Sequence, residues 1–234
     1  MNLEIYKSVF AALKEELEER GYNARDIEAL VRSYSWFLSE YSLLRVLLRS
    51  KLSIEGCQES LDFLVKRHEF LTKEIESTST VLDVGCGLGI LACSLAQKNC
   101  RVYGIDIEED NIKVAERLSE MLNVDKLCSF QKTDPNVLSF GANAFDYVVL
   151  SWTLHDIKLE DQGVLLSECV RVLKLHGRLL ILDPESQLDF NQLQERMSKH
   201  PVKRTQQKTI SNIYDHGTLS NAVLLIYQKQ EHII

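Results

Sequence analysis

The chain has 234 residues, of which 45% are hydrophobic, and carries a formal net charge of -7. This length allows one sizeable core with an appended subdomain, while the acidic balance makes nucleic acid an unexpected partner, because phosphate binding depends on clustered Lys and Arg. The six cysteines show no Cys-x-x-Cys pair and no grouping with histidine, so no metal is expected. The sequence contains neither a signal peptide nor an apolar run near ~18 residues, so a cytoplasmic protein with no membrane span is predicted.

Residues 1–77 are predicted to form an all-helical N-terminal subdomain, and residues 78–234 a second domain. Apolar side chains recur every three or four residues along three stretches of the first part, which is the spacing of one helix face. The third stretch contains His68, which is therefore predicted to be a buried, satisfied or edge histidine, with a catalytic histidine as the alternative. Such faces require a partner surface, and two remain open: the edge of the second domain, or the same helices of a second subunit in a homodimer.

Residues 81–90 have the sequence Val-Leu-Asp-Val-Gly-Cys-Gly-Leu-Gly-Ile. The first four predict a buried strand, and Gly85, Gly87 and Gly89 then open a helix. Glycines at alternate positions let the main chain approach a ligand closely, and the amides at the helix start offer hydrogen-bond donors. The segment therefore predicts a cofactor-binding loop.

The glycine spacing differs from the dinucleotide fingerprint Gly-x-Gly-x-x-Gly, because the third glycine comes one residue early. Asp83, two residues before the first glycine, would repel a pyrophosphate but suits a cationic ligand. The segment closely resembles motif I of the class I S-adenosylmethionine-dependent methyltransferases, usually (V/L)LD(V/L)GCGxG. The resemblance implies that S-adenosylmethionine, which carries an amino group and a sulfonium, is bound by Asp83, Gly85, Cys86 and Gly87.

The resemblance continues along about 150 residues, through the next two predicted strands. Asp106, which lies 21 residues beyond Gly85, occupies the place of the family's ribose-binding acid, whose carboxylate accepts hydrogen bonds from both ribose hydroxyls; the alternative is a helix cap. Asp134 is the candidate for the acid that meets the adenine amino group, and the alternative is an Asp-Pro turn. The resemblance also assigns Ile107 and Pro135 to the cofactor site.

The fourth predicted strand is followed by Ser-Trp-Thr-Leu-His-Asp at 151–156, which matches the family's motif IV loop in position and in its histidine. Ser151 and Trp152 are assigned to the cofactor side of this loop. His155 is the candidate catalytic base, because imidazole titrates near neutral pH. Asp156 is the second catalytic candidate, as a base or as the group that orients the histidine. The alternative for each is a structural position, and for Asp156 a helix cap.

Strands that alternate with helices of 10 to 15 residues predict an α/β fold with a parallel sheet covered on both faces. The resemblance implies a Rossmann-like, seven-stranded, mostly parallel sheet closed by a C-terminal hairpin. Right-handed crossovers bring the ends of the first five strands to one edge. One crevice should therefore collect five distant side chains: Asp83, Asp106, Asp134, Ser151 and Asp183.

Asp183 and Glu185, at the end of the fifth strand, are candidates for holding a polar or cationic acceptor. Beyond them, a group of basic side chains is interpreted as a solvated loop, with an anionic-substrate or RNA contact as the alternative: Lys199, His200, Lys203, Arg204 and Lys208. The hairpin strands are predicted over residues 209–214 and 222–228.

The sequence therefore predicts an enzyme that transfers a methyl group from S-adenosylmethionine to a small-molecule acceptor, leaving S-adenosylhomocysteine. Within the family it is most similar to the ubiquinone and menaquinone biosynthesis methyltransferases, a comparison that leaves the acceptor open. Two alternatives remain, a methyltransferase acting on protein or RNA and a non-catalytic cofactor-binding module. The family often places N-terminal helices as a lid over the substrate, so the lid is the preferred role of residues 1–77.

Overall fold

The computed structural model describes residues 67–134, 137–215 and 218–231, together with the separate positions 8, 11, 12, 15 and 19. Most of the predicted N-terminal subdomain, with its roles as lid or dimer interface, lies outside the described residues. Residues 67–74 are helical, and His68 is fully buried there, as predicted. Burial, and after it the neighbouring Arg67, lowers the pKa of His68 well below its ordinary value.

Strands and helices alternate along the described part of the second domain. The strands are β1 (Thr80–Val84), β2 (Arg101–Asp106), β3 (Cys128–Lys132), β4 (Phe145–Ser151), β5 (Leu173–Pro184), β6 (Val202–Asp215) and β7 (Thr218–Lys229). The helices are α1 (Ile90–Ala96), α2 (Glu109–Met121), α3 (Leu159–Val172) and α4 (Phe190–Ser198), with short 3-10 helices at Leu154–Asp156 and Glu185–Gln187.

The strands form one seven-stranded sheet in the order β3-β2-β1-β4-β5-β7-β6. Strands β1 to β5 are parallel to one another, whereas β7 is antiparallel to both β5 and β6. This is the predicted mostly parallel sheet with its C-terminal hairpin. The carboxyl ends of the five parallel strands lie at one edge of the sheet, as predicted.

The two faces of the sheet are covered by different helices, because side chains alternate between the faces along each strand. Val81 and Val149 belong to the core cluster that contains α1 and the buried face of α2. Leu82 and Val148 belong to the opposite cluster, which contains the buried faces of α3 and α4. Helix α2 contributes through Val114 and its neighbours at helical spacing.

This alternation separates the acids at the carboxyl edge. Asp83 and Ser151 each follow a residue of the first cluster by two positions and so lie on the α1 and α2 face. Asp183 follows Ile181 by two positions and lies on the α3 and α4 face. The two groups of polar side chains therefore reach the common edge from opposite sides of the sheet.

The basic stretch corrects one prediction. Lys203, Arg204 and Lys208 lie within β6, an edge strand that begins at Val202, and not in a loop before a strand at Thr209. Residues 203–209 are all polar, so the beginning of the strand shows no alternation of apolar and polar side chains in the sequence. Exposed Lys and Arg are characteristic of edge strands, where charge discourages pairing with another chain.

Within the described ranges, no helix is both long and apolar enough to cross a membrane. The same ranges contain no group of three or more His, Cys, Asp or Glu side chains placed to hold a metal ion.

Candidate active site

The glycine loop between β1 and α1 follows a path that requires glycine. Gly85, Gly87 and Gly89 have φ angles of 72°, 52° and 75°, in the left-handed region that side chains disfavour. A Cβ built on Gly85 would lie 2.5 Å from Oγ1 of Thr153, and one on Gly89 would lie 2.7 Å from Cβ of Ala115. The loop is therefore packed directly against the segment after β4 and against α2.

The amides of four positions in this loop donate hydrogen bonds within the protein and are therefore not offered to a ligand. The amides of Gly85 and Cys86 both donate to the Ile105 carbonyl, at 2.8 and 2.9 Å. The Gly87 amide donates to Oδ2 of Asp106 at 2.9 Å, and the Gly89 amide donates to the Cys86 carbonyl at 3.0 Å. At these four positions the main chain can therefore lie close to a ligand, but the amides cannot bind a phosphate. In this respect the loop differs from a dinucleotide-binding site.

Asp106, buried at the end of β2, connects this loop to α2. Besides the Gly87 amide, its carboxylate accepts the Glu108 amide at 2.9 Å and Nδ2 of Asn111 at 3.1 Å, both on Oδ1. A carboxylate has about four acceptor positions, so roughly one remains, on Oδ2. Asp106 can thus cap the helix and also contact the ribose, as predicted. Its carboxylate, however, can accept a hydrogen bond from one ribose hydroxyl, where two were expected.

The neighbouring cofactor candidates lie along the same edge. Ile107 is 59% exposed, so an apolar surface adjoins the Asp106 carboxylate. The Thr133 amide donates to the Asp106 carbonyl at 3.0 Å, which places the exposed Asp134 next along the chain beside this strand end. Pro135 lies outside the described residues.

Ser151 and Trp152 end β4 on the face of Asp83, and both are buried. The hydroxyl of Ser151 makes no hydrogen bond to any residue in the described ranges, although the residue is only 5% exposed. Trp152 has a φ of 56°, which is unfavourable for an aromatic residue. Its amide donates to the Leu182 carbonyl at 2.8 Å, and the guanidinium carbon of Arg67 lies 4.9 Å from its ring centroid.

Thr153 is a site residue that the motif comparison did not identify. Its hydroxyl lies 3.0 Å from the Val84 carbonyl and 3.2 Å from the Ser151 carbonyl, and it donates its one proton to this pair. Together with its contact on Gly85, this joins the end of β1 to the end of β4. No local sequence signal marks the contact, because the two segments are distant in the chain.

His155 is held by Asp183 and not by its neighbour in sequence. Nδ1 of His155 lies 2.7 Å from Oδ1 of Asp183, and the Leu154 amide donates to Oδ2 of Asp183 at 3.1 Å. Asp156 reaches Nε2 of His155 only at 3.5 Å, and its side chain is 78% exposed, against 6% for the histidine. The orienting role predicted as one option for Asp156 therefore falls to Asp183.

Asp183 does not have the position expected of a side chain that holds the methyl acceptor. It is fully buried and both of its oxygens accept hydrogen bonds within the protein, so it is not available to hold an acceptor directly. Burial raises the pKa of this carboxyl, and the repulsion from Asp156 adds to the effect. The hydrogen bond and positive charge of His155 and the Leu154 amide act in the opposite direction.

Gln162 fixes the His155 loop from the α3 side. Its Nε2 donates to the Leu154 and Ile157 carbonyls at 3.0 and 3.1 Å. Its Oε1 in turn accepts from Nη1 of Arg196 at 2.6 Å. The loop is thus held on both sides of the histidine, which favours a fixed ring position.

The side chains present fit S-adenosylmethionine. The ligand's positive sulfur and amino group match an edge rich in carboxylates, and its uncharged ribose matches the acceptor position left on Asp106. Ser151 offers a buried hydroxyl without a described protein partner, and Ile107 an exposed apolar surface for the adenine.

Comparison with known proteins agrees with this chemistry. The family model described as a methyltransferase domain matches residues 82–181. The O-antigen chain terminator bifunctional methyltransferase/kinase WbdD of Escherichia coli is 34% identical over 103 residues, covering 43% of this chain and 14% of that protein. The demethylmenaquinone methyltransferase of Bacteroides fragilis is 34% identical over 106 residues, covering 44% of this chain and 42% of that protein. The chain thus spans less than half the length of either relative.

The fold has solved counterparts. A crystal structure of an S-adenosylmethionine-dependent methyltransferase from Methanosarcina mazei superposes with a TM-score of 0.61 at 18% identity, covering 69% of this chain and 97% of that one. The sheet order, the glycine loop, the acidic strand ends and the family match over residues 82–181 lead to one assignment. Residues 82–181 match a methyltransferase domain, and the sheet has the fold of the solved S-adenosylmethionine-dependent methyltransferase.

Proposed function

We propose that the chain transfers a methyl group from S-adenosylmethionine to a small-molecule acceptor whose reacting atom carries a proton. The observation that carries the proposal is the loop after β4, in which Ser151, a buried hydroxyl on the cofactor side, lies four residues from His155, a fixed imidazole. One short segment thus supplies both a cofactor contact and a proton acceptor at the same edge of the sheet.

The cofactor is assigned to the α1 and α2 face of this edge. Asp106 would hold a ribose hydroxyl through its remaining acceptor position, and Ile107 and Asp134 would contact the adenine. Asp83 and Ser151 would hold the amino acid part. When bound, S-adenosylmethionine supplies a methyl group that its positive sulfur has already activated for displacement.

The protein's own contribution is alignment and proton removal. In-line displacement depends mainly on orientation and on exclusion of water, which the tightly packed Gly85–Thr153 contact and the Gln162 hydrogen bonds favour. His155 takes the acceptor's proton on Nε2, because Nδ1 already faces Asp183. Asp156, beside Nε2 and exposed, gives that nitrogen a polar route toward solvent.

Two observations support a small acceptor over a protein or RNA. The relative from Bacteroides fragilis is named for demethylmenaquinone, a small molecule. The basic side chains Lys203 and Arg204, which were the predicted docking surface for a macromolecule, lie on β6, three strands from β4. At a strand spacing of about 4.8 Å, this puts β6 about 14 Å from β4 across the sheet.

Calorimetric titration with S-adenosylmethionine and with S-adenosylhomocysteine tests the cofactor assignment. We expect both to bind, and the absence of heat at protein concentrations that detect ~10 μM affinity would refute it. Incubation with isotopically labelled methyl donor and a metabolite extract, followed by mass spectrometry, then tests the acceptor class. Label confined to protein or RNA, and reduced by charge reversal at Lys203 and Arg204, would favour the macromolecular alternative.

A further inference from the structure

The groove between α3 and α4 lies outside the site proposed above and has a volume of about 630 Å³. The two helices that form its walls cover the same face of the sheet. The α3 wall contains Leu159, Glu160, Gly163 and Val164, and the wall at the end of α4 contains Arg196 and Lys199.

The centre of the groove is apolar and open. Leu159 and Val164 are 55% and 51% exposed. Between them, no atom of the described residues lies within 4 Å of the position that a β carbon on Gly163 would take. Packing in the described part of the chain therefore does not require glycine here, although glycine weakens a helix interior relative to alanine. Exposed apolar side chains with free space beside them are typical of a contact with another molecule.

Opposite charges line the two walls. In the described ranges, Glu160 on α3 forms no ion pair, and Arg196 on α4 hydrogen-bonds to neutral groups, two side-chain amides and one carbonyl. Lys199 pairs with Glu195, one turn earlier, at 3.1 Å, but both side chains are mostly exposed, so this pair is weak. One wall thus presents an acid and the other presents bases whose charges are largely uncompensated.

We propose that this groove is the contact surface of a homodimer, in which the α3 wall of each copy lies against the α4 wall of the other. A two-fold contact uses the same surface on both chains, so that surface has to be complementary to itself. A two-fold axis along the groove exchanges its walls and brings Glu160 of each copy opposite Lys199 of the other. Leu159 and Val164 of the two copies then pack together in the centre. This self-complementarity is the reason for assigning the groove to a second copy of the chain.

The size of the surface predicts a weak, reversible dimer. Helix α3 has 14 residues, so it is about 20 Å long, and two adjacent helices are together about 20 Å wide. A surface of this size is smaller than the area of about 800 Å² that each partner contributes to a stable interface. We therefore expect a dissociation constant in the range of about 10 to 100 μM.

Sedimentation equilibrium of the full-length protein without cofactor, at about 1 to 500 μM, covers this range. We expect a reversible monomer–dimer equilibrium. Val164→Glu should weaken it by at least about tenfold, because it places a charge in the apolar centre. Leu175→Glu is the matched control, because Leu175 is 45% exposed in β5 outside the groove, and it should leave the equilibrium unchanged. A monomer throughout the range, or equal behaviour of the two variants, overturns the inference.

A charge exchange tests the two-fold arrangement itself. Glu160→Lys and Lys199→Glu should each weaken the dimer by about tenfold, because each brings like charges together twice in the dimer. An equimolar mixture of the two variants should associate again, because a mixed dimer has opposite charges at both contacts.

Failure of the mixture to associate overturns the inference. A dimer that none of these substitutions weakens also overturns it, and places the interface elsewhere, for example on residues 1–77. Circular dichroism shows whether each variant is folded. Since these measurements need neither cofactor nor methyl transfer, their outcome is independent of the proposed function.

Discussion

The side chain of Thr153 occupies the space that a β carbon on Gly85 would need, with its Oγ1 only 2.5 Å from that position. The glycine loop after β1 and the His155 loop after β4 are therefore packed against each other through one contact. A substitution at either residue should therefore disturb the conformation of both loops, which together form the proposed site.

Gly85→Ala tests this contact. The φ of 72° and the collision with Thr153 should together lower the free energy of unfolding by about 2 to 4 kcal/mol and abolish S-adenosylhomocysteine binding. Urea unfolding and calorimetry measure the two effects. Gly163→Ala is the matched control, because Gly163 lies within α3 and its β carbon meets open space; it should stabilise by about 0.5 to 1 kcal/mol. Equal behaviour of the two variants would contradict the packing argument.

Asp106→Asn tests the cofactor assignment. It removes the charge that accepts the Gly87 and Glu108 amides and the position proposed for a ribose hydroxyl. We expect the binding of S-adenosylhomocysteine to weaken by about 1 to 3 kcal/mol, the range for lost charge-assisted hydrogen bonds. Unchanged affinity would remove Asp106 from the cofactor site.

His155→Ala separates chemistry from binding. If the ring accepts the acceptor's proton, turnover should fall by about 100-fold or more while cofactor affinity stays nearly intact. Single-turnover kinetics and calorimetry give the two numbers. A parallel loss of both would show that His155, with Asp183, serves mainly to attach the loop to β5.

Stability in acid should depend on Glu168. Its hydrogen bonds to Arg171 lower the pKa of this carboxyl, which also accepts the Leu138 amide at 3.2 Å. A folded pKa below the unfolded value of about 4.3 gives a stabilisation that is complete above that value and is lost as pH falls through the folded pKa. Glu168→Gln should therefore destabilise by about 1 kcal/mol at pH 7 and progressively less below pH 4.

The control for this effect is Glu195→Gln. Glu195 pairs with Lys199 at 3.1 Å, but both side chains are mostly exposed, so the expected change is close to zero at every pH. Chemical unfolding of both variants at pH 7 and pH 3 is the measurement. A pH-independent loss in Glu168→Gln would show that the carboxylate charge does not hold the connection before β4.

The sequence by itself determined the sheet and its functional edge. Short apolar runs alternating with helical periods, and the glycine spacing after β1, are local signals, and parallel strands joined by right-handed crossovers have to end at one edge. The strand ends at Asp83, Asp106 and Ser151 could therefore be placed before any coordinates. The strand β6 was missed at its beginning because polar side chains on an edge strand carry no apolar period.

Only the tertiary structure decided which groups act on one another within that edge. Asp156 is adjacent to His155 in the chain, but Asp183, 28 residues away, is its partner in space. The sequence also could not show that the amides of Gly85 and Cys86 donate hydrogen bonds to the Ile105 carbonyl. Local pattern reports what a residue tends to form, whereas hydrogen-bond partners depend on which strands lie side by side and on the face toward which each side chain points.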